Sequence, residues 1–213
     1  MHLPMKTCIQ PSLQSGLGIA QINPCHANLR QSKLCAPLAQ LLQEFILIDW
    51  LIDCVHALIV ETVLNWPDEA ATQSLAQALA ARPALRQALI ELHGDLGAGK
   101  TTFVRHLLRA LGVQGRVKSP SYAVVEPYTV QTTHGELNIW HFDLYRFADP
   151  REFEEAGFRD LLASPGLKLV EWPEKAQGVL PAPDLALHIS AQADDSRQVK
   201  AIAHTALGQE LLA

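Results

Sequence analysis

The sequence predicts an α/β fold, and three observations carry that reading. A buried apolar run, Ala88-Leu89-Ile90-Glu91-Leu92, leads into a glycine-rich bend, and residues 102–111 follow with helical spacing. Apolar runs of strand length recur downstream, each bounded by turn residues. Segments 184–190 and 197–204 alternate apolar and polar residues, as half-buried strands do. Strands interleaved with helices in this way build a central sheet covered by helices.

The elements follow in order. Residues 61–64 form a short strand. Pro67 suits the first turn of a helix in which Leu75, Ala78 and Leu79 recur at helical spacing up to Pro83. The strand 88–92, the bend and the helix 102–111 come next, and Gly112 stops that helix. Segments 122–130 and 136–143 read as strands, and the turn Thr132-Thr133-His134-Gly135 joins them as a hairpin. Asp149 caps a helix with Pro150 at its first position, running to Leu162. Ser164-Pro165-Gly166 breaks it. Leu167-Lys168-Leu169-Val170 is a strand ending at Glu171, strands 184–190 and 197–204 pair, and a short helix closes the chain.

The 213 residues and a 48% hydrophobic content suit one domain with a sizeable core. A formal charge of −5 offers no broad basic surface for nucleic acid, so an RNA role would run through a partner or a local patch. The first sixty residues differ in character. Residues 1–30 are coil-like, residues 38–60 are apolar without a clear cap, and Cys8, Cys25, Cys35 and Cys54 all lie here. Their spacing fits neither a metal pattern nor a disulfide framework; the glycine-rich bend, of a kind that works where ATP or GTP is available, points to a reducing cytoplasm. The opening residues lack the order of a secretory signal. The apolar run 45–60 carries Asp49 and Asp53 near its middle and falls short of the roughly twenty residues of a membrane span, so no membrane association is expected.

The chemistry concentrates at Gly94-Asp95-Leu96-Gly97-Ala98-Gly99-Lys100-Thr101, which fits the phosphate-loop pattern in its strand–loop–helix context. Its glycines let successive N–H groups converge on one anion, and the following helix adds its positive end. The backbone through Asp95, Leu96, Gly97, Ala98, Gly99, Lys100, Thr101 and Thr102 is therefore the expected phosphate cradle. Lys100 would bring a charge to the β- and γ-phosphates, and the Thr101 hydroxyl would ligate Mg²⁺.

Hydrolysis or transfer further needs a carboxylate to hold Mg²⁺ and a group to place the nucleophile. Two acids stand where a hydrophobic strand ends: Asp143 after Ile139-Trp140-His141-Phe142, and Glu171 after Leu167-Lys168-Leu169-Val170. That is the edge at which open α/β sheets bind ligands. Either acid taken singly could instead cap a turn or pair with an arginine such as Arg146. Ser119-Pro120-Ser121-Tyr122 reads locally as a turn, yet its hydroxyls could reach a γ-phosphate or Mg²⁺. His141 and Asp143 share a strand face without a third ligand at zinc spacing. His93 reads as a packed strand residue, and Trp140 and Trp172 as core or cleft aromatics.

The phosphate loop, then Lys118-Ser119-Pro120-Ser121-Tyr122, then His141-Phe142-Asp143-Leu144-Tyr145-Arg146, then Val170-Glu171-Trp172-Pro173-Glu174 stand in this order. The ordered set closely resembles the TsaE family, ATPases of tRNA threonylcarbamoyladenosine synthesis, from about Glu61 to the C-terminus. The resemblance implies a cytoplasmic, P-loop NTPase-like α/β protein with a central mixed sheet flanked by helices. It implies ATP and Mg²⁺ as cofactors, TsaB and TsaD as partners, and tRNA reached indirectly, the modified tRNAs being those that read codons beginning with A. By the same resemblance Lys100, Asp143 and Glu171 are catalytic. Thr101 and Glu171 hold Mg²⁺, and Asp143 orients water or metal. Glu69, Trp172 and Glu174 lie on the nucleotide side or in the cleft. Ser121 departs from the family's usual Thr but keeps the hydroxyl.

The family has no counterpart for residues 1–60. They are expected to be a poorly ordered or non-native extension, produced by a start codon placed too far upstream, ahead of an ATPase domain at 61–213. A lineage-specific extension is the alternative. Among other activities, a small-molecule kinase would carry the same loop, but a hairpin stands where such kinases carry a lid. Without an Asn-Lys-x-Asp motif, ATP is favoured over GTP. A non-catalytic protein that binds nucleotide to set its shape is a further reading.

Overall fold

The computed structural model describes residues 59–213. The expected extension at 1–60 and the apolar run 45–60 lie outside the described residues except at their last two positions. In chain order the elements are β1 (Val60–Trp66), α1 (Glu69–Ala80), a 3₁₀ turn (Pro83–Gln87), β2 (Leu89–His93), α2 (Lys100–Ala110), β3 (Val125–Thr132) and β4 (Gly135–Asp143). Then follow α3 (Arg151–Glu155), α4 (Phe158–Ala163), β5 (Leu167–Glu171), a 3₁₀ turn (Pro173–Ala176), β6 (Leu185–Ala191), β7 (Arg197–Ala203) and α5 (Ala206–Leu212). Among the described residues no helix is long and apolar enough to cross a membrane.

One mixed sheet of seven strands runs β1-β7-β6-β2-β5-β4-β3. Its centre, β6-β2-β5-β4, is parallel, while β3 joins β4, and β7 joins β6 and β1, antiparallel. The expected α/β class with a central mixed sheet is therefore the observed one. β2 and β5 are buried on both faces, as central parallel strands are, although Glu91 and Lys168 interrupt their apolar runs.

Side-chain alternation divides the core in two. Ile90, Leu92, Ile139, Leu167, Leu169, Leu185 and Leu187 face α1, α2 and α5, together with Phe103, Leu107 and Leu79. Leu89, Phe142 and Val170 face the other way, against Phe153, Phe158 and Leu161 of α3 and α4. Trp66 closes β1 and stacks on Phe103 of α2 with centroids 6.0 Å apart, tying the edge strand to the helix behind the glycine-rich bend.

Two boundaries differ from the sequence reading. Pro67 lies outside the first helix; Asp68 is the cap, and its carboxylate accepts the Ala71 N–H at 3.0 Å. A carboxylate at the cap satisfies one of the amides that the first helical turn leaves without a partner. The single helix expected at 150–162 is two short ones. Gly157 sits between them at φ 74, a left-handed conformation that ends α3 and turns the chain before α4. Pro150, expected at the first helical position, takes the cap position instead, and Asp149 stands one residue ahead of it, its carboxylate accepting the Arg151 N–H at 2.9 Å. The hairpin forms with Thr132 opposite Gly135.

Phe103 is fully buried between α2 and β1. Phe103→Ala is expected to lower the free energy of unfolding by about 3–5 kcal/mol, read from the denaturant midpoint at unchanged m-value.

Candidate nucleotide site

The bend after β2 is built for tight curvature. Gly94, Gly97 and Gly99 adopt φ of 134°, 80° and 113°, values that favour glycine. At Gly94 there is also no room: a Cβ would stand 2.2 Å from the Ile189 carbonyl oxygen on β6. The bend thus lies directly on the neighbouring strand, and α2 begins at Lys100, its first turn facing the cleft.

Parallel pairing brings the acids to that bend. β4 and β5 run side by side, with Asp143 opposite Glu171 at their carboxyl ends. Alternation puts Ile139-His141-Asp143 and Leu167-Leu169-Glu171 on the face covered by α2. Glu171 Oε2 accepts the Thr101 hydroxyl at 2.8 Å, and Glu171 Oε1 lies 2.8 Å from His141 Nε2. Asp143 Oδ2 accepts both serine hydroxyls of the 119–121 segment, Ser121 at 2.7 Å, while Oδ1 accepts the Tyr145 N–H at 3.1 Å. The side chains of both acids are almost fully buried.

Lys100 is 4% exposed. Its ammonium donates to the Gly94 and Asp95 carbonyls at 2.5 and 2.9 Å and lies 3.7 Å from the centroid of the Trp172 ring. Burial lowers its pKa, while Glu171, Glu174, Asp143 and Asp95 pull it back up. The cation is thus held at the cleft wall beside four acids, partly withdrawn from water. Trp172 reaches this position through a left-handed backbone, φ 60.

A cleft of about 360 Å³ is lined by Leu96, Gly97, Gly99, Lys100, Thr101, Thr102, Ser119, Ser121, Asp143, Tyr145, Arg146, Glu171 and Trp172. Most of the expected site residues therefore meet in one place. Asp95 contributes its carbonyl to Lys100. Ala98 faces a second cleft beyond the bend, together with Glu69, Asp68, Trp66 and Arg197. Glu69 thus stands at a cleft that shares Gly97, Gly99 and Thr102 with the first, its carboxylate 2.8 Å from His106 Nε2. Glu174 stands near the rim, 3.7 Å from His93 Nδ1. His93 is half-buried, stacked on His188 with centroids 4.2 Å apart.

Arg146 does not pair with either acid; its guanidinium lies 4.4 Å from the centroid of the Tyr122 ring. The sequence reading missed two contacts. Arg197 donates from Nε to the Ala98 carbonyl at 2.9 Å, bracing the loop from β7. His141 reaches Glu171 from the adjacent strand. Neither has a local signature, since the partners are 99 and 30 positions apart. The His-x-Asp alternation at 141–143 was the one available hint.

The donor set suits a hard cation. A hydroxyl and a carboxylate already touch, with a second carboxylate on the next strand, and oxygen ligands of this kind suit Mg²⁺, Ca²⁺ or Mn²⁺. Among the described residues no cluster of three or more His, Cys, Asp or Glu forms a cage by itself. Mg²⁺ ordinarily takes one or two carboxylates plus substrate phosphates.

Comparison with known proteins places this architecture. Residues 66–199 match the family model of TsaE, the threonylcarbamoyl adenosine biosynthesis protein. The Haemophilus influenzae tRNA threonylcarbamoyladenosine biosynthesis protein TsaE is 47% identical over 124 residues, covering 58% of this chain and 75% of that protein. The Treponema pallidum protein of the same name is 32% identical over 111 residues, covering 52% and 78%. The crystal structure of Bacillus subtilis YdiB superposes with a TM-score of 0.59 at 27% identity, over 72% of this chain and 93% of that one.

Gly94 and Gly112 separate two costs of a side chain. Both have positive φ, but a Cβ at Gly112 meets nothing within 4 Å. Gly112→Ala is expected to cost about 1–2 kcal/mol of backbone strain. Gly94→Ala should cost about 1–3 kcal/mol more, because the Ile189 carbonyl must move. Denaturant titration of both variants reads the difference.

Proposed function

The chain belongs to the TsaE family of tRNA threonylcarbamoyladenosine biosynthesis proteins, and from there we propose that it binds and hydrolyses ATP with Mg²⁺. It does so in support of a TsaB–TsaD assembly in the cytoplasm, and reaches tRNA only through those partners. The ATPase domain is residues 61–213. The observation that carries the reading is the Thr101 hydroxyl 2.8 Å from Glu171 Oε2, beside a buried Lys100 and the glycine bend.

The residues divide the work. Backbone amides from Asp95 to Thr102 hold the phosphates, aided by the positive end of α2. Lys100 supplies charge at the β- and γ-phosphates. Thr101 and Glu171 would hold Mg²⁺, which would supply neutralisation of the charge developing on the phosphate oxygens. Asp143 anchors Ser119 and Ser121 at the cleft wall, so that the hydroxyls and the carboxylate together orient the attacking water. That water adds to the γ-phosphorus as the bond to the β–γ bridging oxygen breaks, giving ADP and inorganic phosphate. Glu69, at the adjoining cleft, and Glu174, beside His93, serve the nucleotide rather than the cleaved bond.

Turnover measured alone and with TsaB and TsaD tests the proposal. ATP hydrolysis that rises on adding the partners is expected; none at any ratio would contradict it. Lys100→Ala should lower kcat by about 10²–10³-fold, the effect of removing one charged donor from a transition state, with the melting temperature held.

A further inference from the structure

His141 has no exposed surface and does not line the cleft. It sits on β4 beneath α2, two residues before Asp143 on the same strand face. Its Nε2 lies 2.8 Å from Glu171 Oε1, and its buried Nδ1 has no hydrogen-bond partner. A proton on Nδ1 would be a buried donor without an acceptor, the costlier arrangement. A proton on Nε2 leaves no donor orphaned and gives Glu171 Oε1 the hydrogen bond it needs. The geometry therefore selects the Nε2–H tautomer.

The two oxygens of Glu171 then have different occupations. Oε1 is engaged inside the protein by His141, and Oε2 is turned to the Thr101 hydroxyl. Without the imidazole, Oε1 would be a buried acceptor with nothing to satisfy it. The carboxylate would relieve this by rotating toward water, which takes Oε2 off Thr101. A histidine kept only for packing would face the apolar residues of its layer; this one spends its N–H on a single carboxylate.

We infer that His141 is a positioning residue for the metal: its Nε2–H fixes the Glu171 carboxylate with Oε2 on Thr101, where Mg²⁺ and the nucleotide phosphates assemble. The inference rests on the nucleotide-binding reading above and goes beyond it in giving a buried residue outside the cleft control over metal affinity.

Calorimetry on the full chain tests it. ATP is titrated in EDTA and at a series of Mg²⁺ concentrations into the wild type, His141→Leu and His141→Gln. In EDTA, His141→Leu should bind ATP as the wild type does, because the loop amides are untouched. Its Mg²⁺ affinity in the ternary complex should fall about 10–100-fold, the usual effect of losing a partner behind a ligating group. His141→Gln, which returns an N–H near the same place, should recover most of that loss. Unchanged Mg²⁺ affinity in His141→Leu would overturn the inference, as would an equal loss of binding with and without metal. A wild type whose ATP binding ignores Mg²⁺ would instead overturn the nucleotide reading, and the inference with it. Nitrogen-15 NMR of the wild-type imidazole needs no variant to fold: an Nε2–H tautomer with a slowly exchanging proton is expected, and an Nδ1–H tautomer would refute the assignment.

Discussion

A carboxylate buried at the end of a central strand is the constraint around which the rest of this molecule is arranged. Glu171 is 2% exposed. A carboxyl group with so little exposed surface is stable only when its oxygens are met by partners. Thr101 comes from the first turn of α2, and His141 comes from the neighbouring strand. Those two partners require that α2 begin directly over β5 and that β4 pair with β5 in one register. A slip of one residue would turn His141 and Asp143 onto the face of α3 and α4. The hydrophobic alternation of β4 and β5 therefore fixes the chemistry as well as the packing.

The loop and the acids reach each other because the strands that carry them run parallel. β2, β5 and β4 end at the same sheet edge. The bend is pressed onto β6 by the close approach of Gly94 to Ile189 and braced from β7 by Arg197. Lys100 lies across this space, between carbonyls, an aromatic face and four acids. Such a cation is ready for an anion of high charge, since phosphate oxygens would replace backbone carbonyls as its partners. The arrangement is pre-set by the fold, and preorganised charge of this kind makes a site act without reorganisation at the moment of reaction.

Much of this was legible in the chain. The strand–bend–helix at 88–111 carries its own punctuation, and the terminal acids of two apolar strands mark the sheet edge. The alternation at 184–204 is read without knowing the register. What was not legible depends on residues far apart. Asp68 rather than Pro67 starts α1 because a carboxylate finds an orphan amide, a choice that local propensity does not rank. Gly157 divides the 150–162 segment because a left-handed residue suits the packing of Phe153 and Phe158 on Phe142. The serines at 119–121, open to two readings in the sequence, are bound to Asp143. Glu69 lines not the cleft of the two acids but an adjoining one that shares Gly97, Gly99 and Thr102 with it, which only the three-dimensional path of the bend determines.

The most direct test is crystallographic. Crystals grown with a non-hydrolysable ATP analogue and Mn²⁺, which takes the same oxygen ligands as Mg²⁺ and scatters anomalously, would show the metal itself. The account predicts one anomalous peak joining the Thr101 hydroxyl, the Glu171 side and the nucleotide phosphates, with those phosphates in the 94–101 bend. A nucleotide bound elsewhere, or a metal that leaves Thr101 and Glu171 untouched, would contradict it.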